Sequence, residues 1–385
     1  MKLLLLCEYA TLNGGEQSML ATLDAVGQAG FSITAMAPPT GPLADAFLAR
    51  QIEVIPFTSR DSAGMALPRA EVRDALAATL RQRGVGLLHA NSLAMGRLSG
   101  PVAAALGLPS IAHLRDIVRL SRQAIDDLNC HTRLLAVSQA TRDYHVAAGL
   151  CGEKTHVLYN GVDLARFAPG PSSCELHREL RLPSESLLVG VIGQIGLRKG
   201  HDVLVQAAVR LTERLPHVHY LIVGSRYSDK AESRLFEDRL HAASAGSLVG
   251  HLHFLGVRDH MERIFNELAL VAHPARQEPL GRVLLEAAAC GVAVVASDVG
   301  GTREIFPPQS HSARLVPPDD PIALSQAMFE VLCDAQLRAT LASSARRRAE
   351  ESFDIRRAAA GLIEHYREVS SQRSAEREGK GLTEK

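Results

Sequence analysis

The sequence predicts an α/β protein built from two doubly wound, Rossmann-like parallel-sheet domains, and three observations predict it. Short apolar runs alternate with helix-period stretches from one end of the chain to the other. The runs are apolar throughout rather than apolar at every second residue, as expected of strands covered on both faces. The pattern also restarts after a breaker-rich stretch, Ala168-Pro169-Gly170-Pro171-Ser172-Ser173. At 385 residues the chain exceeds what one ordinary core supports, so two domains are the economical account.

In order along the chain, the first set of strands is expected at residues 2–7, 32–37, 52–57, 85–90, 110–113, 134–138 and 156–159. Helical periodicity fills 16–28, 71–83 and 139–148. The second set is expected at 187–192, 220–223, 253–255, 269–273, 293–296 and 313–316, with a helix at 202–215. The linker is expected near residues 161–185, where Asn160-Gly161 marks a turn. The domains are accordingly read as 1–165 and 166–352, followed by an amphipathic helix at 353–369 and a polar, frayed, disordered tail at 370–385. The apolar stripe Phe353, Ala359, Leu362, Ile363 and Tyr366 needs burial, and leaning back on the first domain would supply it.

Composition removes several functional classes. Lys plus Arg equals Asp plus Glu, 42 each, so no general electrostatic case exists for nucleic acid, and Trp is absent. The six cysteines lack CxxC spacing, which reads as a reduced cytoplasmic protein. The N-terminal apolar run stops at Glu8, too short for a signal sequence, and no run of 18 apolar residues exists to span a membrane. No GxSxG, HExxH, Walker A or Asp-x-Asp pattern occurs. The pairs His217/His219 and His251/His253 alternate as strand positions do, but no third ligand is spaced to join them in a metal site.

The chemistry-bearing residues lie in loops that leave strands, where parallel sheets bind ligands. After the first strand comes Asn13-Gly14-Gly15-Glu16, a glycine turn entering a helix, equally readable as a tight turn or as a phosphate or acceptor contact. His113 ends its strand, where a buried structural histidine is an equal reading. In the second half, Gly193, Gly196 and Gly200 surround Arg198 and Lys199 just before a helix, cations on a glycine-rich loop suited to a diphosphate. Leu221-Ile222-Val223-Gly224 follows. Glu278-Pro279-Leu280-Gly281-Arg282-Val283-Leu284-Leu285-Glu286 then sets two carboxylates about 12 Å apart if helical. Gly281 lets an anion approach the free N–H groups of a helix start, and the two glutamates are too far apart to share a proton.

In this order, with residues 156–169 between the halves, these motifs resemble the retaining family 4 glycosyltransferases of the GT-B fold over nearly the whole chain. The resemblance implies two Rossmann-like domains facing across a cleft, with the C-terminal helix crossing back to the first. It implies that Glu278 holds hydroxyls of the transferred sugar and Glu286 the ribose. Lys199 and the 281–283 backbone would hold the diphosphate, and His113 would sit near the reacting centre. His113, Lys199 and Glu278 are thus the catalytic candidates. Gly15, Gly193, Arg198, Gly224, Gly281, Arg282 and Val283 complete the donor site with Glu286, and Asn13, Gly14 and Glu16 face the acceptor. The implied activity is metal-independent transfer of a hexosyl group from a nucleoside-diphosphate sugar to a saccharide or lipid-linked acceptor, in polysaccharide or glycoconjugate synthesis. No cofactor is expected, and peripheral membrane association is left open.

Three positions depart from the family pattern: Gln194 stands where an arginine is usual, Ala275 where a serine is, and Leu280 where an aromatic residue is. Gln194 removes one cation from the diphosphate loop, which leaves a non-catalytic sugar-nucleotide-binding module as an alternative. A sugar-nucleotide epimerase shares the architecture, but the Glu278/Glu286 pair and the 160–163 segment favour the transferase.

Overall fold

The computed structural model describes residues 1–61 and 64–381, the side chains of 372–381 excepted. Its strands are β1 (Lys2–Leu6), β2 (Ser32–Ala37), β3 (Glu53–Pro56), β4 (Leu87–Ala90), β5 (Ser110–Leu114), β6 (Arg133–Ala136) and β7 (Thr155–Val157), then β8 (Leu187–Ile192), β9 (Val218–Val223), β10 (Leu252–Gly256), β11 (Leu270–His273), β12 (Val294–Ser297) and β13 (Arg314–Val316). Each lies within a residue or two of a run the sequence marks as a strand.

The strands form two sheets, in the orders β3-β2-β1-β4-β5-β6-β7 and β10-β9-β8-β11-β12-β13, with every pairing parallel. The opening strand of each half is central, and strand order reverses beside it. The crevices at the carboxyl ends of β1/β4 and β8/β11 are therefore the switch points at which such sheets bind ligands. Continuous apolarity has its cause here: all of β4, β6, β9, β11 and β12 is buried, because helices cover both faces.

Local chemistry decides one helix that its composition argues against. Leu93–Ala105 contains Pro101, whose missing N–H leaves the Arg97 carbonyl without its helical donor. Arg73 supplies the replacement, its Nη2 donating to Arg97 O at 2.9 Å and its Nε to Leu98 O at 3.1 Å.

The chain divides into two compact units, 1–161 with 355–385, and 162–354. The first boundary falls at Gly161/Val162 rather than after residue 165, and residues 162–185 are an ordered part of the second unit rather than a linker. Phe167 is buried edge-on against Phe265. The Glu267 carboxylate accepts from Ser173 Oγ (2.5 Å) and from the N–H groups of Glu175 (2.9 Å) and Leu176 (3.0 Å), which pins the proline- and glycine-rich stretch.

The last helix spans Ile355–Gly381, starting two residues later than the sequence suggests and continuing past residue 369, so the tail expected to fray from residue 370 is helical through Gly381. Residues 382–385 lie outside the described residues. Leu362, Tyr366 and Val369 enter the first unit's core beside Leu5, Phe31 and Leu135. Arg133 also pairs with Glu368. Phe353 and Asp354 belong to the second unit. Among the described residues no helix is long and apolar enough to cross a membrane.

Candidate functional site

In the second unit the loops leaving β8, β9 and β11 converge. Gly200, at φ +68°, closes the 193–200 turn so tightly that a Cβ there would lie 1.8 Å from Pro274 O. No other residue permits that approach, and it sets the Lys199 loop directly on the 273–281 loop. Gly193 N donates to Val223 O at 2.9 Å and Ile195 N to Ser225 O at 3.0 Å, which joins the Gly193 and Gly224 turns.

Arg276 fastens the assembly. Its backbone N–H donates to Arg198 O, its Nη1 to Leu197 O, and its guanidinium grips Asp202 at 2.8 Å and Asp319 at 2.5 Å. The sequence carries no local sign of this role, because the partners lie far along the chain.

The result is a buried charge cluster. Lys199 Nζ donates to Glu278 Oε2 at 2.5 Å, and His273 Nε2 donates to the same oxygen at 2.8 Å. Burial opposes the Glu278 charge, yet Lys199, the His273 bond and Arg198 together hold the carboxyl well below its usual range. His273 is itself pushed down by burial against the pull of Glu278. Arg198 reaches Gln277 O at 3.3 Å rather than a carboxylate.

Gly281 (φ +96°) caps the helix Arg282–Ala289, whose first-turn N–H groups at Arg282 and Val283 have no acceptor within the helix. One turn on, the buried Glu286 carboxylate pairs with Arg282 Nε at 2.7 Å. Burial raises its pKa, with Arg282 opposing.

The first unit holds the remaining predicted residues. Gly14 and Gly15 begin the helix Gly14–Gln28, with Gly15 against the Arg115 side chain. Asn13 Nδ2 donates to Thr11 Oγ1 at 3.0 Å. Glu16 turns inward: burial pushes its carboxyl up, while its own N–H, Arg115 and the Asn13 N–H favour the charge.

His113, at the end of β5, is buried. It belongs to a network that the sequence reading lacks, with His89 Nε2 2.8 Å and Arg115 Nη2 3.3 Å from its Nδ1. Arg115 also donates to Asn91 Oδ1 (2.8 Å) and Asn160 Oδ1 (3.0 Å). His113, Ser18, Thr22 and Asn160 line a cavity of about 20 Å³. A pocket of about 180 Å³ near the same strand ends is lined by Glu8 and Arg60 from the loops after β1 and β3, and by Arg69, Met95 and Arg97 from the helices Arg69–Arg83 and Leu93–Ala105, and Arg97 Nε is buried without a partner.

His219 Nδ1 lies 3.2 Å from His253 Nε2 and stacks on His251. Among the described residues no group of three or more His, Cys, Asp or Glu is placed to hold a metal ion.

Two parallel sheets of this strand order, each with its own switch point, define a GT-B architecture. The model for glycosyl transferases group 1 matches residues 173–348, and that for glycosyltransferase family 4 matches residues 12–166. The chain belongs to the family 4 glycosyltransferases.

It is 34% identical over 227 residues to a D-inositol 3-phosphate glycosyltransferase of Salinispora arenicola, covering 56% of this chain and 50% of that protein. Over 239 residues it is 34% identical to a phosphatidyl-myo-inositol mannosyltransferase of Mycolicibacterium smegmatis, covering 61% and 57% respectively. The chain thus spans about half the length of these curated relatives. Among solved structures, Anabaena HepE in complex with UDP superimposes with a TM-score of 0.83 at 25% identity, over 96% of this chain and all of that one. A glycosyltransferase from Rickettsia africae shares the fold, with a TM-score of 0.83 at 18% identity over 96% and 98%.

Proposed function

We propose that this protein transfers a hexosyl group from a nucleoside-diphosphate sugar to a saccharide or lipid-linked acceptor, with retention of configuration and without a metal. The observation that carries this reading is the Lys199–Glu278–His273 cluster beside the open helix start at Gly281. A cation and unpaired N–H groups suit a diphosphate, and a buried carboxylate beside them suits sugar hydroxyls. The UDP bound by HepE supports a nucleotide donor in this architecture.

Glu286 is assigned to the ribose and Glu278 to the sugar. Lys199 and the N–H groups of Arg282 and Val283 are assigned to the diphosphate, with Gly193, Arg198 and Gly224 shaping the loops around it. Breaking the bond between the sugar's anomeric carbon and the phosphate oxygen sends its electron pair to the diphosphate, and Lys199 and the N–H groups stabilise that growing charge. The acceptor oxygen attacks from the same face, and its proton passes to the departing phosphate oxygen. No protein nucleophile takes part.

The acceptor is assigned to the first unit, where Asn13, Gly14 and Glu16 stand with Gly15 and His113. The pocket bearing Arg60, Arg69 and Arg97 favours an acceptor with an anionic group. Synthesis of a cell-surface polysaccharide or glycoconjugate on the cytoplasmic side, with peripheral membrane attachment, is the setting such an acceptor suggests.

Thermal-shift screening of UDP-, GDP- and ADP-sugars, followed by donor-turnover assays with and without EDTA, tests the reading. A stabilising nucleotide sugar that is consumed, with EDTA without effect, is expected. Lys199→Ala is expected to lower turnover more than donor affinity, because the charge it meets grows in the transition state. A protein that binds donor and never turns it over is a binding module instead.

A further inference from the structure

Three side chains from distant parts of the chain form one hydrogen-bonded line inside the first unit. Tyr366 Oη is 2.5 Å from His89 Nδ1, and His89 Nε2 is 2.8 Å from His113 Nδ1. Arg115 gives the line its direction. Its Nη2 lies 3.3 Å from the same His113 Nδ1, and a guanidinium can only donate. His113 Nδ1 is therefore the bare nitrogen, and that ring carries its proton on Nε2. Facing a bare nitrogen, His89 Nε2 must carry the hydrogen, which leaves His89 Nδ1 bare to accept from the Tyr366 hydroxyl.

The alternative, a protonated pair, is opposed from every side. Burial pushes His89 down to about 3, with Arg115 and His131 adding to the effect. Burial, Arg115, His89 and His365 likewise push His113 well below its ordinary value. Burial also drives the Tyr366 phenol far upward, so it stays a hydroxyl.

We infer that Tyr366 and His89 are positioning residues that lock His113 in the neutral Nε2–H tautomer, so that His113 can donate a hydrogen bond but cannot act as a general base. This rests on the proposed role of His113 in sugar transfer, and it deepens that role. An Nε2–H donor needs an oxygen acceptor, such as a hydroxyl of the transferred sugar. The proton of the attacking hydroxyl must then leave by another route, and the departing phosphate oxygen supplies one. The inference also gives the returning C-terminal helix a chemical task, since that helix supplies Tyr366.

The test uses the full chain with ¹⁵N-labelled histidine. Long-range ¹H–¹⁵N correlation at neutral pH reads each tautomer directly, with or without a functional assay. Expected in the wild type are protonated Nε2 and bare Nδ1 on both His89 and His113. Tyr366→Phe keeps the ring that packs 5.3 Å from Phe31 and removes only the hydroxyl. It should give mixed tautomers at His89 and lower turnover about tenfold at unchanged donor KM, the loss of roughly one hydrogen bond's worth of orientation. His89→Gln, whose amide can still donate to His113, should retain the His113 pattern where His89→Leu loses it. A wild-type His113 protonated on Nδ1 or doubly protonated overturns the inference, as does Tyr366→Phe with wild-type tautomers and turnover. Altered tautomers with unchanged turnover sustain the lock and remove His113 from the proposed reaction.

Discussion

The two units bury polar groups at the carboxyl ends of equivalent central strands, and they do so in opposite ways. In the first, burial favours the neutral forms of His89 and His113, which are tied to Tyr366 and Arg115 by hydrogen bonds. In the second, Glu278 is buried charged, because Lys199 and His273 meet the same carboxylate oxygen. Burial disfavours charge in both, and what decides the outcome is whether an opposite charge is in contact. A neutral network can set direction, whereas an ion pair can answer charge that develops during a reaction. The first arrangement therefore suits orientation and the second suits a leaving group.

The largest way to break the comparison is to remove the element that only the first unit borrows from the far end of the chain. Truncation before Ile355 deletes Leu362, Tyr366 and Val369 from the first core, each contributing about 1.5–3 kcal/mol by burial, a sum comparable with a domain's whole stability. Loss of a cooperative melting transition is expected. Truncation after Ser371 keeps those residues and should leave Tm nearly unchanged. Equal melting of both truncated chains would show that the helix is dispensable to the core.

Glu278→Ala comes next. Removing one member of a buried ion pair costs about 3–5 kcal/mol, because Lys199 and His273 are left without their acceptor. Denaturant melts should show that loss, with donor turnover abolished. A variant as stable as the wild type would mean that water or another group compensates Lys199.

Glu286→Ala is smaller and more specific. Losing a charged acceptor costs about 1.5–3 kcal/mol, or ten- to over a hundredfold in donor affinity. Calorimetric titration with the nucleotide sugar reads it directly, and a dissociation constant within twofold of wild type removes Glu286 from the ribose.

The finest test separates the two units by pH. His89 has its folded pKa depressed from 6.5 to about 3, so the stability it contributes is full above 6.5 and declines as pH falls toward 3. Glu278 is also depressed, from 4.5, so its contribution is full above 4.5 and is lost only at lower pH. Acidification should therefore weaken the His89 contribution first. His89→Gln should flatten the dependence of Tm on pH below 6.5, and Glu278→Gln should flatten it only below 4.5. Identical profiles for both variants would erase the distinction between the networks.

Much of this molecule was legible in residue order. Strands such as Leu3–Leu6 and Leu187–Ile192 announce themselves because a sheet covered on both faces needs every position apolar. The Glu278–Gly281–Glu286 spacing is legible because one turn and one short helix fix its geometry locally. Residues 162–185 misled as a linker: Glu267, some ninety residues away, anchors Ser173, Glu175 and Leu176 just beyond the prolines and glycines, which composition cannot reveal.

Sequence by itself determined the two sheets, the strand ends that carry the loops, and the types of residue placed there, since periodicity and short-range turn chemistry specify all three. Tertiary structure alone decided which side chains meet. His89 and Tyr366 are 277 residues apart, and Arg276 draws Asp202 and Asp319 together from separate loops. Protonation followed from those meetings, because burial and a contacting charge exist only once the chain has folded.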